Sequence, residues 1–183
     1  MGSFAQVLAQ VFGIIAMAAI VLSFQCKNKN TLLWIQLVGN VMFATNMLMI
    51  GAYVGGLLNI IAIVRVFVYM NKDRLKLPLK VVNSIFIFLY FVSYALVFTV
   101  FGKEFNTVNA IVEMLPVIGM TAVTFGFAGS NAKTVRFCSL INSPCWLIYN
   151  LVCFSIGGIL CEVISLISLA TAIIRLDIKS SKK

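Results

Sequence analysis

Few residues in this chain are able to do chemistry. Five acidic side chains, Asp73, Glu104, Glu113, Glu162 and Asp177, stand against fourteen lysines and arginines, and the 183 residues include no histidine. Asp73, Glu104 and Asp177 fall in polar breaks or in the tail, so no triad, carboxylate dyad or metal cage can be assembled from the remainder. The five cysteines, Cys26, Cys138, Cys145, Cys153 and Cys161, form no CxxC pair and lie in or beside apolar runs, where a thiol acts as a small hydrophobe. Glycine-rich phosphate loops are absent too. These features argue against an enzyme and call for no cofactor and no metal.

The polar residues that remain informative are those set in apolar surroundings. Glu113 and Glu162 interrupt long apolar runs. A central charge costs about 2.5 to 3.5 kcal/mol to place in hydrocarbon, so such residues face a bundle interior or a water cavity. For both Glu113 and Glu162 the plain alternative is a protonated carboxyl or one that reaches the membrane surface. Arg65 lies near one end of its run and is expected to snorkel toward water. Asn40, Asn46 and Asn142 read as interhelical hydrogen-bonding groups worth about 0.6 kcal/mol each on average.

The elements that position these groups follow from composition. Hydrophobic residues make up 62% of the chain, charged ones 10%, and the mean hydropathy is +1.07. A soluble domain carries about 25% charged residues. Near-continuous apolar blocks of about 18 to 21 residues fit helices crossing ~30 Å of hydrocarbon and exclude a β-barrel, whose strands would alternate at period two. The blocks are Val7–Phe24, Thr31–Ile50, Tyr53–Met70, Val81–Phe101, Thr107–Phe127, Val135–Phe154 and Ile156–Leu176. The first has no basic flank and is too long for a signal-peptide core, so it reads as a retained span. Gly2 lacks the hydroxyl residue four positions on that myristoylation needs. Gly51-Ala52 and Ser155 leave room only for tight hairpins. The fold class is therefore an all-α membrane protein of seven transmembrane helices, with the lipid bilayer as its first partner.

The net charge of +9 would suggest nucleic acid in a soluble protein, but here the basic residues mark topology. Lys27, Lys29, Lys72, Arg74, Lys76, Lys80, Lys133, Arg136, Lys179, Lys182 and Lys183 fall on one face, with Arg65 and Arg175 near the same ends and only Lys103 opposite. The positive-inside rule then predicts an outer amino terminus and a cytoplasmic carboxyl terminus.

At an offset of 103 residues, Met17 meets Met120, Phe24 meets Phe127, Thr31 meets Thr134 and Leu37 meets Leu140; a short deletion then sets Gly55-Gly56 against Gly157-Gly158. Two three-helix units, residues 1–71 and 107–183, are joined by a linker helix with its loops, 72–106, and the extra span makes the repeat parallel.

With Ser23-Phe24-Gln25 closing the first span and Trp146-Leu147-Ile148-Tyr149-Asn150 in the sixth, this 3+1+3 plan resembles the SWEET and PQ-loop transporter superfamily. Within it, the length and the run Leu22-Ser23-Phe24-Gln25-Cys26-Lys27-Asn28-Lys29-Asn30 look most like the bacterial YgjV family of inner-membrane proteins. The resemblance implies a small-solute transporter working by alternating access on a sugar-like or other small polar metabolite, with a non-transporting receptor or scaffold as the alternative and a homo-oligomer compatible with either. It implies a midplane pocket in which Asn59 and its counterpart Cys161, beside Glu162, face each other between the aromatic walls Phe43 and Trp146. Glu162 would then give transport a pH dependence. Sugar-transporting relatives carry hinge prolines in both repeats, whereas here only Pro116 and Pro144 are present, opposite Gly13 and Val41.

Overall fold

The computed structural model describes residues 3–23, 29–76, 78–128 and 132–174. The Phe24-Gln25 pair, Cys26, the break at 129–131 and the basic tail after residue 174 lie outside the described residues. Seven long helices are present: α1 (Ser3–Ser23), α2 (Lys29–Met49), α3 (Tyr53–Met70), α5 (Leu79–Thr99), α6 (Thr107–Ala128), α7 (Ala132–Val152) and α8 (Ile156–Ala172), with a one-turn helix α4 (Lys72–Leu75) between α3 and α5. They fall on the seven apolar blocks, with ends shifted by a few residues. Among the described residues, α1, α3, α5 and α6 are long and apolar enough to cross a bilayer, and α8 is a shorter apolar helix. Helices α2 and α7 carry more amides and hydroxyls, Gln36, Asn40 and Asn46 in one and Ser139, Asn142, Ser143 and Asn150 in the other.

Those two polar helices are the inner members of their hairpins. Helix α2 packs on α1 and α3, α7 packs on α6 and α8, and the two sets meet where α8 lies on α1 and where α3 lies on α6, closing a ring of six helices. Helix α5 packs on α3 and α6 at the second of these seams. Large apolar side chains such as Phe4, Val7, Phe67, Phe88, Ile118 and Ile167 cover the outside, a surface that suits lipid rather than water. Inside, Met47, Leu58, Tyr90, Val117, Trp146 and Tyr149 belong to one buried cluster, and Ala16, Phe43 and Cys161 form a second, smaller one.

Both hairpin turns are built alike, bond for bond, 103 residues apart. The amide of Ala52 donates to Met47 at 2.8 Å and that of Ser155 to Asn150 at 3.0 Å; Gly51 donates to Leu48 at 3.2 Å and Phe154 to Leu151 at 3.3 Å. The next helix starts in the same register too, Gly56 donating to Ala52 and Ile159 to Ser155, each at 2.9 Å. Both turns need a left-handed residue, as helix C-termini commonly do: Gly51 has φ 79° and Phe154 has φ 55°. Because every bond through the turn is duplicated, no residue is deleted there. The expected pairing of Gly55-Gly56 with Gly157-Gly158 is corrected to Gly55 with Gly158, and the counterpart of Asn59 becomes Glu162 rather than Cys161, which pairs with Leu58.

Pro116 and Pro144 sit inside α6 and α7 without ending them. Each removes one N–H donor from its helix, and packed neighbours make such prolines tolerable in membrane helices.

Seam α1–α8 is set by glycine. A Cβ built on Gly157 would lie 2.1 Å from the carbonyl carbon of Gly13, so the two backbones touch where they cross. Nothing flexible lies there to move aside. Gly157→Ala is expected to abolish recovery of folded, monodisperse protein in detergent. Gly13→Ala, whose Cβ would meet the Asn46 side chain at 3.1 Å, should survive with a lowered melting temperature, and size-exclusion and thermal-shift profiles check both.

Candidate functional site

Helices α1–α3 and α6–α8 hold each other's turns at the end that carries Lys103. Asn46 on α2 donates from Nδ2 to the carbonyl of Ala9 on α1 at 2.7 Å, and its Oδ1 accepts from the hydroxyl of Ser155, in the α7–α8 turn, at 2.7 Å. Tyr149 stands at the equivalent position of α7 and reaches the opposite way: its hydroxyl oxygen accepts the backbone N–H of Gly55, in the first turn of α3, at 3.0 Å. Both side chains are fully buried. Gln10 adds a third tie, donating from Nε2 to the carbonyl of Phe154 at 2.8 Å and accepting the N–H of Ile156 at 3.0 Å. These bonds supply donors and acceptors for backbone groups freed by the helix ends. The interhelical role expected of Asn46 is present, and it joins three helices.

Glu113 is 1% exposed and forms an ion pair with Lys103 from the α5–α6 loop. It is therefore paired within the helix bundle and does not reach the surface. Lys103 is thus bound to the more deeply buried of Glu113 and Glu162. Arg65 also departs from expectation. Rather than snorkelling out, it is buried and donates from Nη1 to the hydroxyls of Tyr90 on α5 at 3.1 Å and Thr124 on α6 at 3.2 Å. Tyr90 and Thr124 are themselves 3.0 Å apart. Three helices meet at that point, and hydroxyls within the bundle offer the guanidinium the bonds that water would otherwise supply.

The pocket residues inferred from sequence divide between two places. Phe43 and Cys161 pack together with Ala16 in the smaller buried cluster. Trp146 lies in the larger one, edge-on to Tyr149 with ring centroids 5.9 Å apart. Asn59 is buried next to Leu58 of that cluster and donates to the carbonyl of Gly55 one turn back in its own helix at 2.8 Å. Glu162 is half-buried on α8. Phe43 and Trp146 are equivalent by the 103-residue offset, as are Asn59 and Glu162, so the chain sets an aromatic pair and an amide–carboxyl pair at matching depths of its two hairpins. Among the described residues no cluster of acidic or cysteine side chains could hold a metal ion.

Gln10, Tyr149, Ser155 and Lys103 were not foreseen as contributors. The signal was available for two of them: the same offset sets Gln10 against Glu113 and Asn46 against Tyr149, but the pairs differ in type and so do not register as matches.

With this geometry in place, comparison with known proteins bears on membership. The profile of the Imp-YgjV family, described as bacterial inner membrane protein, matches residues 7–180. The chain belongs to this family. No curated protein and no solved structure matches it. Family membership and the apolar helices together make this a membrane protein, in agreement with the resemblance read from the Leu22–Asn30 run.

The Asn46–Ser155 bond joins the two units directly. In a double-mutant cycle of Asn46→Ala and Ser155→Ala, unfolding in detergent should give a coupling of about 0.6 to 1.7 kcal/mol, the range of buried interhelical bonds. Asn46→Ala alone should cost more, since it also removes the Asn46 hydrogen bond to the Ala9 carbonyl. Additive effects would show that the bond carries no energy.

Proposed function

We propose that this chain is a small-solute transporter or facilitator in which two three-helix units, residues 1–71 and 107–183, rock against each other in the 3+1+3 SWEET-like manner, with 72–106 as linker. The observation that carries this reading is the exchange of side chains between the units at one face: Asn46 holds the turn of the second hairpin and Tyr149 the first turn of the helix that follows the other. A pair of units closed on each other by a few hydrogen bonds at one face is suited to open there when a solute is released, as alternating access requires. Asn59, Phe43, Trp146, Cys161 and Glu162 are the proposed contacts for a neutral or weakly polar solute. An amide and a carboxyl give it hydrogen bonds, and the aromatic rings give it apolar walls.

In orientation, the Lys103 face is proposed to be the outer one. A cysteine replacing Glu104, which is exposed beside Lys103, should label from outside intact cells with an impermeant maleimide, and one replacing the exposed Lys76 should label only after permeabilisation. The reverse pattern overturns the orientation.

Transport itself is tested by uptake of a radiolabelled metabolite panel into proteoliposomes. Asn59→Ala should reduce flux of the transported solute at least tenfold, a loss of about 1.4 kcal/mol of binding. Glu162→Gln should remove stimulation by an imposed proton gradient while solute exchange persists, because the amide keeps the carboxyl's shape but cannot release a proton. Saturable binding with no flux for any solute would favour a receptor on the same fold.

A further inference from the structure

Helices α3 and α8 hold equivalent places, each following a hairpin turn, yet they are buried over different lengths. One face of α3 is buried from Val54 to Val66, through Leu58, Asn59, Ala62 and Arg65. The 103-residue offset sets those four against Cys161, Glu162, Ser165 and Ser168. Only Cys161 of the second set is buried. Glu162 and Ser165 are half-buried, Ser168 is exposed, and no residue from Glu162 to Thr171 is buried. The equivalent face of α8 is therefore sealed next to its turn and unsealed beyond it.

The cause lies in what covers each helix. Toward the end away from the hairpin turns, Arg65 of α3 donates to Thr124 of α6 and to Tyr90 of α5, so these bonds cross the α3–α6 seam directly. One turn further on, the Tyr69 hydroxyl donates to Asn83 of α5, and its ring stacks on Phe86 with centroids 6.4 Å apart. Helix α5 is thus fastened along α3 and shuts that side. No such extra helix lies on α8. Ser168 is too short to reach as Arg65 does, and Val21, which the offset sets against Thr124, has no hydroxyl to accept a bond. The far half of α1 leans on α2 instead, where a Cβ on Gly39 would lie 2.7 Å from Cδ1 of Ile20.

A carboxyl within a bilayer is met by a cation or by water. Glu113 has Lys103, whereas among the described residues Glu162 has no cationic partner, and it stands where the burial of α8 stops. We infer that at the end away from the hairpin turns the ring is open on one side only: a water-filled cleft runs along α8 past Ser168 and Ser165 to Glu162, while α5 and the Arg65 cluster keep the α3–α6 side shut. The two serines follow Glu162 at three-residue steps, as neighbours on the helix surface, and carry polar groups over about 9 Å toward the open end. In the transport reading, on which this use of the cleft rests, it is the route between the pocket and that face of the membrane. The two seams then have unlike tasks, one admitting solute and the other holding the two sets of helices together.

Single cysteines in a cysteine-free background, reacted in nanodiscs with a charged methanethiosulfonate, separate a wet cleft from a helix side that faces lipid. Only the thiolate reacts and hydrocarbon suppresses it, so Ser165→Cys and Ser168→Cys should label at least roughly tenfold faster than Ile167→Cys on the opposite side of α8 or Ala62→Cys on α3. Tyr90→Phe with Thr124→Val removes both hydroxyls that Arg65 binds and should raise the rate at Ala62→Cys toward that at Ser165→Cys; Tyr90→Phe alone serves if the pair does not yield folded protein. Rates at 165 and 168 as slow as at 167 overturn the cleft, because α8 then simply faces lipid. Fast labelling at 62 with the cluster intact, or no change there when the hydroxyls are removed, overturns the shut side. Labelling is read without transport, so fast reaction at 165 and 168 with no flux of any solute would refute the transport reading and leave the cleft standing.

Discussion

Helices in a bilayer gain little from burying apolar side chains against one another, because lipid is as apolar as leucine. What remains to hold them is close approach and the pairing of polar groups. The backbone contact of Gly13 with Gly157 supplies the first, and the rest of the ring depends on it. With α1 and α8 that close, Gln10 comes within reach of the α7–α8 turn and Asn46 within reach of Ser155. Any side chain at residue 157 would separate the helices and lengthen all three bonds at once. At the second seam, between α3 and α6, helix α5 packs on both partners, and the Lys103–Glu113 ion pair ties the α5–α6 loop to α6.

That ion pair shows how a single heavy-atom change redistributes constraint. An amide both donates and accepts and can therefore tie down a turn that exposes one carbonyl and one N–H. Replacing its nitrogen with oxygen removes the donor and adds a charge, and the charge must be met inside a medium that solvates it poorly. Lys103 meets it. Breaking a buried pair by removing one partner is costly, on the order of 3 to 5 kcal/mol, because the survivor is left unsolvated. The pair is therefore firm while intact and sharply unfavourable when half removed.

Much of the fold was legible in the sequence because hydrophobic length and loop length are local properties. The seven apolar blocks and the two tight turns at Gly51-Ala52 and Ser155 all reappear as helices and hairpins. The register of the repeat was legible only up to the turn. Two Gly-Gly pairs invited an alignment one residue out of step, whereas backbone bonding pairs Gly55 with Gly158. Side-chain destinations were least legible. Arg65 sits near a helix end, where snorkelling is the common outcome, and only the arrival of Tyr90 and Thr124 from two other helices turns it inward. Glu113 pairs with Lys103, ten residues earlier in the loop that leads into its own helix, a spacing that no helical or strand period marks. Of the proposed pocket, the grouping of Phe43 with Cys161 emerges from packing, while the depth shared by Asn59 and Glu162 follows from the corrected register.

The corrected register alters what a solute in this protein would meet. With Cys161 opposite Asn59, the two halves would differ by a thiol and an amide, both neutral and both weak in their demands. With Glu162 opposite Asn59, one side offers a group that donates and accepts and the other a group that, when ionised, only accepts. A solute bridging them would sit in one orientation, its donors toward α8, and turning it end for end would set an acceptor against a carboxylate at a cost of a lost hydrogen bond plus repulsion. In the proposed transporter a solute would thus be held asymmetrically, and at both Gln10/Glu113 and Asn59/Glu162 the departure from likeness across the 103-residue offset is the replacement of an amide by a carboxyl.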